Sequence, residues 1–313
     1  MNKICISILT MAVLLGCSDN EENIINDDEL VPIDLNAEVN LISRGAIGNN
    51  TKLTDVGIAG WEAQKDEAGV SYTANPTWHT HIDFTASAEK QNVTFKQPQY
   101  YNSNPDIYTH IKAWYPCAEY TGTPNPLTSS TITFKNENGS MDVLLAQEIV
   151  VGSKNEKISK PLTFKHVTSQ IKFKVKKGDG LADNTKIKSI KIKNAQYPTR
   201  FDISKSFTDD KAITYSDAAD LLVPNINDTQ VITDDAVQAG DAVMIRPFAA
   251  SKFIVDIETS NATYSNCEIS LTSGTQMQAG YLYDITLTFG QAGLELSAIV
   301  EEWKNGTGSA EIQ

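Results

Sequence analysis

The sequence predicts an all-β protein built as two β-sandwich domains in tandem. Three observations carry this prediction. Short runs in which apolar and polar residues alternate recur along the chain, the period-two pattern of half-buried strands. Turn signals separate the runs, among them Asn75-Pro76, Asn104-Pro105, Thr123-Pro124-Asn125-Pro126 and Asn138-Gly139. Thr, Ser and Asn are abundant, and neither a long helical pattern nor a repeat of fixed period is present. Many short strands joined by polar turns make a sandwich, and 313 residues suffice for two domains, each burying its own core.

The N-terminus reads as an export signal. Met1-Asn2-Lys3 is a short positive segment, and Ile4 to Leu15 is an apolar run too short to span a bilayer. It ends in Leu14-Leu15-Gly16-Cys17, which resembles the lipobox of bacterial lipoproteins. There a small residue before the cysteine admits the signal peptidase, and the thiol takes the lipid (a diacylglyceryl group, with palmitate as the usual acyl chain). Residues 1–16 are therefore expected to be a lipoprotein signal peptide, with Cys17 the lipidated first residue of the mature chain. An ordinary signal peptide with a chance cysteine is the alternative. Eight acidic residues lie between Asp19 and Glu38, and no Lys or Arg occurs between Lys3 and Arg44. Such a run is solvated and self-repelling, so residues 17–31 are read as an extended acidic tether. It resembles the surface-export signal of lipoproteins in some gut and oral Gram-negative bacteria; a spacer facing the periplasm is the alternative.

From Pro32 the pattern changes. Ile33, Leu35, Ala37, Val39 and Leu41 alternate with polar residues and give one face of a strand that stops at Ser43-Arg44-Gly45. Further strands are expected at 51–58, 77–84, 92–95, 108–115, 131–134 and 141–145. A second set opens at Pro161 with 162–166 and 171–176, then 187–193, 242–245, 253–258, 267–271, 281–289 and 294–300. Gly152-Ser153-Lys154-Asn155 is the expected joint, which gives domains over residues 32–155 and 156–313. Residues 206–241 are the least regular stretch, with a short helix expected over 216–222.

Composition narrows the function. Lys and Arg total 26 against 39 Asp and Glu, a net charge of −13. Nucleic-acid binding needs the opposite balance, because affinity there comes from neutralising phosphates. With only Arg44, Arg200 and Arg246 available, multi-arginine phosphate clamps are excluded as well. No nucleophile elbow, phosphate-binding loop, dinucleotide glycine pattern or zincin helix is present, so no catalytic residue or cofactor is predicted and the chain is not read as an enzyme.

Several residues still require a reading. His79, His81 and Asp83 fall on one face of their strand, opposite Trp78, Ile82 and Phe84. His-x-His-x-Asp is a conceivable metal facet, but the same spacing describes a polar outer face, and that reading is preferred, with no metal predicted. Lys172, Lys174 and Lys176, with Lys188, Lys191 and Lys193, read as the wet side of amphipathic strands, or as a face for an acidic partner. Trp61, Trp78, Tyr100, Tyr101, Trp114 and Tyr115 read as core and turn packing rather than a sugar-stacking platform. His166 shares a face with Phe164 and reads as a core histidine, while His110 carries no partner motif. Cys5 leaves with the signal, and Cys267, alternating with Ile269 and Leu271, reads as a buried small hydrophobe. A disulfide from Cys117 to Cys267 would have to cross between domains, which sequence leaves open.

Several segments, in order, resemble the fimbrillin family. They are Ala113-Trp114-Tyr115-Pro116, Met141-Asp142-Val143-Leu144-Leu145, Leu162-Thr163-Phe164-Lys165-His166-Val167 with Ile171–Val175, Ser189–Asn194 with Phe201-Asp202, Ala279–Leu287, and Val300–Gly306 around Trp303. The resemblance spans roughly residues 33–306. It implies two transthyretin-like β-sandwich domains, an outer-membrane lipoprotein displayed at the cell surface, and a structural or adhesive subunit of a type V pilus (fimbrium). In family members that polymerise, an arginine-specific protease removes the first strand and a neighbour's C-terminal strand fills the vacancy. Arg44 stands where that cut would fall. The tail after Trp303 is short, with Ala310 and Ile312 its only apolar residues, which suits a tip or accessory subunit, or a member that never polymerises. The implied partners are other pilin subunits, the outer membrane through the lipid, and a host or bacterial surface ligand. The alternative is a monomeric surface lipoprotein that binds glycan or protein.

Overall fold

The computed structural model describes residues 30–39, 47, 50–66, 70–117, 130–136, 138–271, 276–291 and 293–302. None of them is helical, and the protein is all-β as the alternation predicts. The first strands are β1 (Asn36–Val39), β2 (Lys52–Gln64), β3 (Trp78–Thr85), β4 (Gln91–Asn92), β5 (Thr94–Phe95), β6 (Ile107–Tyr115) and β7 (Thr131–Thr133). Next come β8 (Leu144–Gly152), β9 (Leu162–His166), β10 (Ser169–Lys177), β11 (Ile187–Ala195), β12 (Pro198–Asp202), β13 (Ile213–Tyr215) and β14 (Ala219–Leu222). The last are β15 (Val237–Gln238), β16 (Val243–Ile245), β17 (Lys252–Thr259), β18 (Thr263–Ser270), β19 (Tyr281–Gly290) and β20 (Gly293–Glu302).

The first sheet has the order β4-β1-β9-β8-β6-β2-β3-β5. It curls on itself: Phe84 of β3 stacks on Phe164 of β9 at 5.3 Å, although three strands separate them in the ladder. Inside the curl lies one apolar core, with Ile33, Leu35, Ala37, Val39, Ile58, Ile82, Ile111, Leu144 and Phe164 among its members. In the C-terminal half, the sheets β15-β10-β19-β20 and β14-β11-β17-β18 enclose a second core, with β16 added to β10. Ile171, Phe173 and Val175 of β10 and Ile285, Leu287 and Phe289 of β19 point into it at the period-two spacing read from sequence.

A third core covers the outer face of the first sheet. Ala59, Trp61, Trp114 and Leu145 meet Phe201, Ile203 and Ala212 there, and a small sheet β13-β12-β7 lies over them. Register fixes the faces: Gly57 stands opposite both Trp114 and His81, and Ala59 opposite both Lys112 and His79. Residues 56–61 of β2 are consequently buried without alternation. The Trp114 side chain lies across Gly57, and the Trp78 indole lies over Gly60 on the opposite face.

Two expectations differ from the structure. The strand Leu162–His166, expected to open the second set, belongs to the first sheet. It pairs with β8 antiparallel and with β1 parallel. The polar Gly152–Asn155 segment is a turn inside that sheet, where Gly152 takes φ 83° and Ser153 N–H donates to Glu156 O; its composition imitates a linker because turns and linkers use the same residues. The chain passes to the next sheet between His166 and Ser169. Residues 216–222 form no helix: Ala219–Leu222 is β14, paired with β11, because burying Leu221 against the second core outweighs local helical preference.

Gly57 supplies a direct test of this packing. A Cβ placed there would clash with the Trp114 ring, and Trp114 is wholly buried, so it cannot swing away. Gly57→Ala is expected to destabilise the protein by about 1–3 kcal/mol through overpacking. Chemical denaturation measures this, and an unchanged midpoint would show that the indole does not lie against β2.

Candidate functional site

β1 is the element whose geometry bears most directly on assembly. Four residues long, it closes the curled first sheet. On one side it pairs in parallel with β9 (Ala37 with Leu162, Val39 with Phe164); on the other it pairs antiparallel with β4. Hydrogen bonds extend the contact beyond the strand: Ile33 N–H donates to Gln99 O, Tyr101 N–H to Val31 O, Val93 N–H to Leu35 O and Val39 N–H to Ser87 O. Thr163 Oγ1 donates to the Glu38 carboxylate at 2.8 Å. Ile33, Leu35, Ala37 and Val39 are buried, as the alternation requires. Leu41, at the end of the predicted stripe, lies outside the described residues, as do Cys17, Arg44, Trp303, Ala310 and Ile312.

Residues 294–300, a second apolar stripe that could serve as a donor strand, are already paired. They lie in β20, paired with β19 along its whole length from Gly293–Gly290 to Glu302–Tyr281.

At the hand-over between sheets, Asp142 and His166 form a buried pair, Oδ1 to Nδ1 3.0 Å. Val167 N–H donates to Val143 O beside it, while Gly280 N–H donates to Thr168 O and Ser169 Oγ to Gln278 O on the C-terminal side. The Asp142-Val143 and Phe164-x-His166 segments, far apart in sequence, are thus two halves of one fastening.

The outer face of the first sheet contains a cation that sequence reading missed. Lys112 is buried on β6; its Nζ donates to Ile203 O at 2.8 Å and Lys205 O at 2.9 Å and sits 3.6 Å from the centre of the Tyr72 ring. Loss of hydration holds its ammonium down at about 8, against the favourable charges of Glu148 and Asp202. The same burial raises the Tyr72 phenol. The legible signal was Gly57, Ala59 and Gly60 in the middle of β2, small residues that let neighbouring side chains lie flat across the sheet.

The remaining candidates sort by environment. His79 and His81 lie on the Trp114 side of the sheet, His81 fully buried and His79 half-buried, and burial lowers the His81 imidazole. Asp83 parts from them and pairs with Lys96 at 2.7 Å. Of the six aromatics, Trp61, Tyr101 and Trp114 are buried, as core packing requires, whereas Tyr100 is exposed. The lysine face of the second half is met by carboxylates: Lys174 by Asp284 at 2.6 Å, Lys193 by Asp220 at 2.8 Å and Asp256 at 3.1 Å. Neither Cys117 nor Cys267 forms a disulfide, and each is half-buried.

Comparison with known proteins agrees with this architecture. The sequence pattern described as Fimbrillin-like matches residues 44–303. The chain belongs to the fimbrillin-like family. Among solved structures, a candidate cell adhesion protein from Bacteroides uniformis is similar, with 15% identity and a TM-score of 0.57, covering 88% of this chain and 99% of that one. A fimbrial protein from Bacteroides vulgatus is similar at 17% identity and a TM-score of 0.52, covering 87% and 99%. At these identities the likeness concerns the fold. No curated protein matches.

Lys112 gives this fimbrillin-like chain a measurable pH signature. The unfolded chain binds the lysine proton up to about 10.5, whereas the folded chain gives it up from about 8. Between those values the unfolded state binds more protons, so stability rises with pH. Wild-type unfolding free energy, compared with that of Lys112→Met, is expected to climb from pH 8 to 9.5 by about 1–2 kcal/mol. Parallel curves for the two proteins would mean that the ammonium is hydrated.

Proposed function

We propose that the chain is a structural and adhesive subunit of a type V pilus, exported as a lipoprotein anchored through Cys17 and assembled by strand exchange after cleavage at Arg44. The observation that carries this reading is the position of β1 as the closing strand of the first sheet. The large buried side chains of β1 and the segment leading into it, Ile33, Leu35 and Val39, contribute about 4–9 kcal/mol together as an upper bound. While β1 is joined to the chain, that burial is intramolecular. Cutting after Arg44 would make β1 a dissociable peptide, and its loss would open an apolar groove flanked by the unpaired edges of β9 and β4. Such an edge favours filling by a strand from another copy.

Other features support the order of events. The family match begins at residue 44, on the C-terminal side of β1. Arg200 lies in β12, hydrogen-bonded to strands on both sides, so an arginine-specific protease has poor access there. With β20 committed to β19, the donor in this reading is the segment around Ala310 and Ile312, and its few apolar residues suit a tip or accessory position. The two-domain division is kept, with its joint shifted to Val167-Thr168, where the chain changes sheets.

Brief treatment of purified protein with an arginine-specific protease, followed by size-exclusion chromatography, tests the assembly step. Cleavage at Arg44 is expected to give oligomers that survive dilution, and Arg44→Ala to stay monomeric. Cut protein that remains monomeric with the released strand still bound would favour the stand-alone binding lipoprotein instead. The anchor is tested separately. Cys17→Ala is expected to move the protein from the membrane to the soluble fraction, and intact mass of the wild type to show an acylated N-terminus. An unmodified Cys17 in membrane-extracted protein would refute lipidation.

A further inference from the structure

Two imidazoles and a thiol meet on the outer face of the first sheet. His79 and His81 alternate on β3, so both side chains leave the strand on the same side. Opposite them on β2 stand Ala59 and Gly57, too small to fill the space. The His79 ring stacks on Trp114 at 5.8 Å with the planes 4° apart, and the two imidazoles lie 5.7 Å apart edge to face. Cys117 comes from the far side of β2, two residues beyond the end of β6, and its amide donates to Asp55 O at 3.1 Å. One ligand atom from each of His79, His81 and Cys117 lies within 4.8 Å of the other two. The β3–β2 ladder sets the positions of the two histidines, and the amide bond to Asp55 O holds the backbone of Cys117.

We propose that His79, His81 and Cys117 bind a zinc ion, with water in the fourth position. Two imidazole nitrogens and a thiolate form a donor set for a borderline-soft cation, not for calcium or magnesium, which take oxygen ligands. The Asp55 carboxylate stands 3.6 Å from His81 Nδ1, beside the three-residue cluster, where it can orient that imidazole. The thiolate and the neighbouring Asp55 carboxylate together offset the charge of a divalent ion at a partly buried position. Zinc bonds of about 2.0–2.3 Å put tetrahedral ligand atoms about 3.3–3.8 Å apart. The cluster therefore closes by about 1 Å on binding, which side-chain rotation supplies. His81 is fully buried, but His79 and Cys117 are half-buried and leave a path of entry. A bound ion would clip the segment after β6 to β3 across the intervening β2.

Zinc and cobalt binding by purified full-length protein tests the proposal. After dialysis against a chelator, added Co²⁺ is expected to give the near-ultraviolet thiolate-to-cobalt band and the intense visible bands of a tetrahedral site, and zinc to displace both. Cys117→Ser is expected to remove the thiolate band, and Cys267→Ser to keep it. Site-resolved alkylation of the wild type gives a second readout that needs no folded variant. Zinc is expected to slow labelling of Cys117 by about tenfold or more while leaving Cys267 unchanged. Absence of a thiolate band, its persistence in Cys117→Ser, or equal labelling of Cys117 with and without zinc would overturn the site.

Discussion

Burial of β2 on both faces is the constraint on which the rest of the structure depends. An antiparallel sheet can keep one face wet, and its strands then alternate cleanly. In the first sheet the curl covers one face with its own core, and the C-terminal half covers the other. Residues 56–61 of β2 lie where the two covers overlap, so Val56 and Ile58 serve the curl while Ala59 and Trp61 serve the junction. Room on both sides comes from Gly57 and Gly60, across which Trp114 and Trp78 lie. Polar groups trapped at the junction must find partners inside the protein. Lys112 reaches two backbone carbonyls there, and Trp61 Nε1 donates to Ala74 O at 3.0 Å.

The two faces differ in how they are closed, and the proposed assembly follows from that difference. The junction side is covered by elements continuous with both halves: β7 and β12 pair across it, and Phe201 and Ile203 fill it. The curled side is completed by β1, a strand whose ladders are short on both edges. Removing β1 would therefore open one core while leaving the attachment between halves intact. A subunit that exchanges a strand needs this separation, because the groove must empty without unfolding the rest of the molecule.

Most strands were legible because one face of each is apolar and the other is not. Ile171, Phe173 and Val175, and Ile33 through Val39, read correctly for that reason. The failures share one cause. His79, His81 and Lys112 occupy the polar positions of alternating strands, and alternation alone cannot distinguish water from a second protein layer. The burial of Lys112 depends on Ile203 and Lys205, 91 and 93 positions away in sequence, whose carbonyls it reaches. The turn at Gly152–Asn155 misled for a related reason, since its composition carries no information about which sheet the next strand joins. Of the candidate site, the buried stripe of β1 was visible in sequence, whereas its parallel pairing with β9 was not. Cys117 could not be grouped with the histidines, because only the register of β3 on β2 and of β2 on β6 brings them together.

The Asp142–His166 pair shows why two separated segments behave as one unit. His166 ends the last strand of the first sheet, and three residues later Ser169 begins the next sheet. Over so short a crossing the backbone cannot turn away to find water, so its polar groups have to be met locally. Val143 accepts from Val167 N–H, Thr168 accepts from Gly280 N–H, and the Asp142 carboxylate holds the imidazole in the wall of the curl. Leu144 lies directly opposite His166 in the ladder, which fixes Asp142 two residues before it on the same side of the strand. A shift of β8 against β9 by one residue would turn Asp142 and Leu144 to the outer face together, breaking the pair and exposing the leucine in one step. The pair therefore ties the register of the first sheet to the point where the chain leaves it. The groove that holds β1 inherits that register through β9.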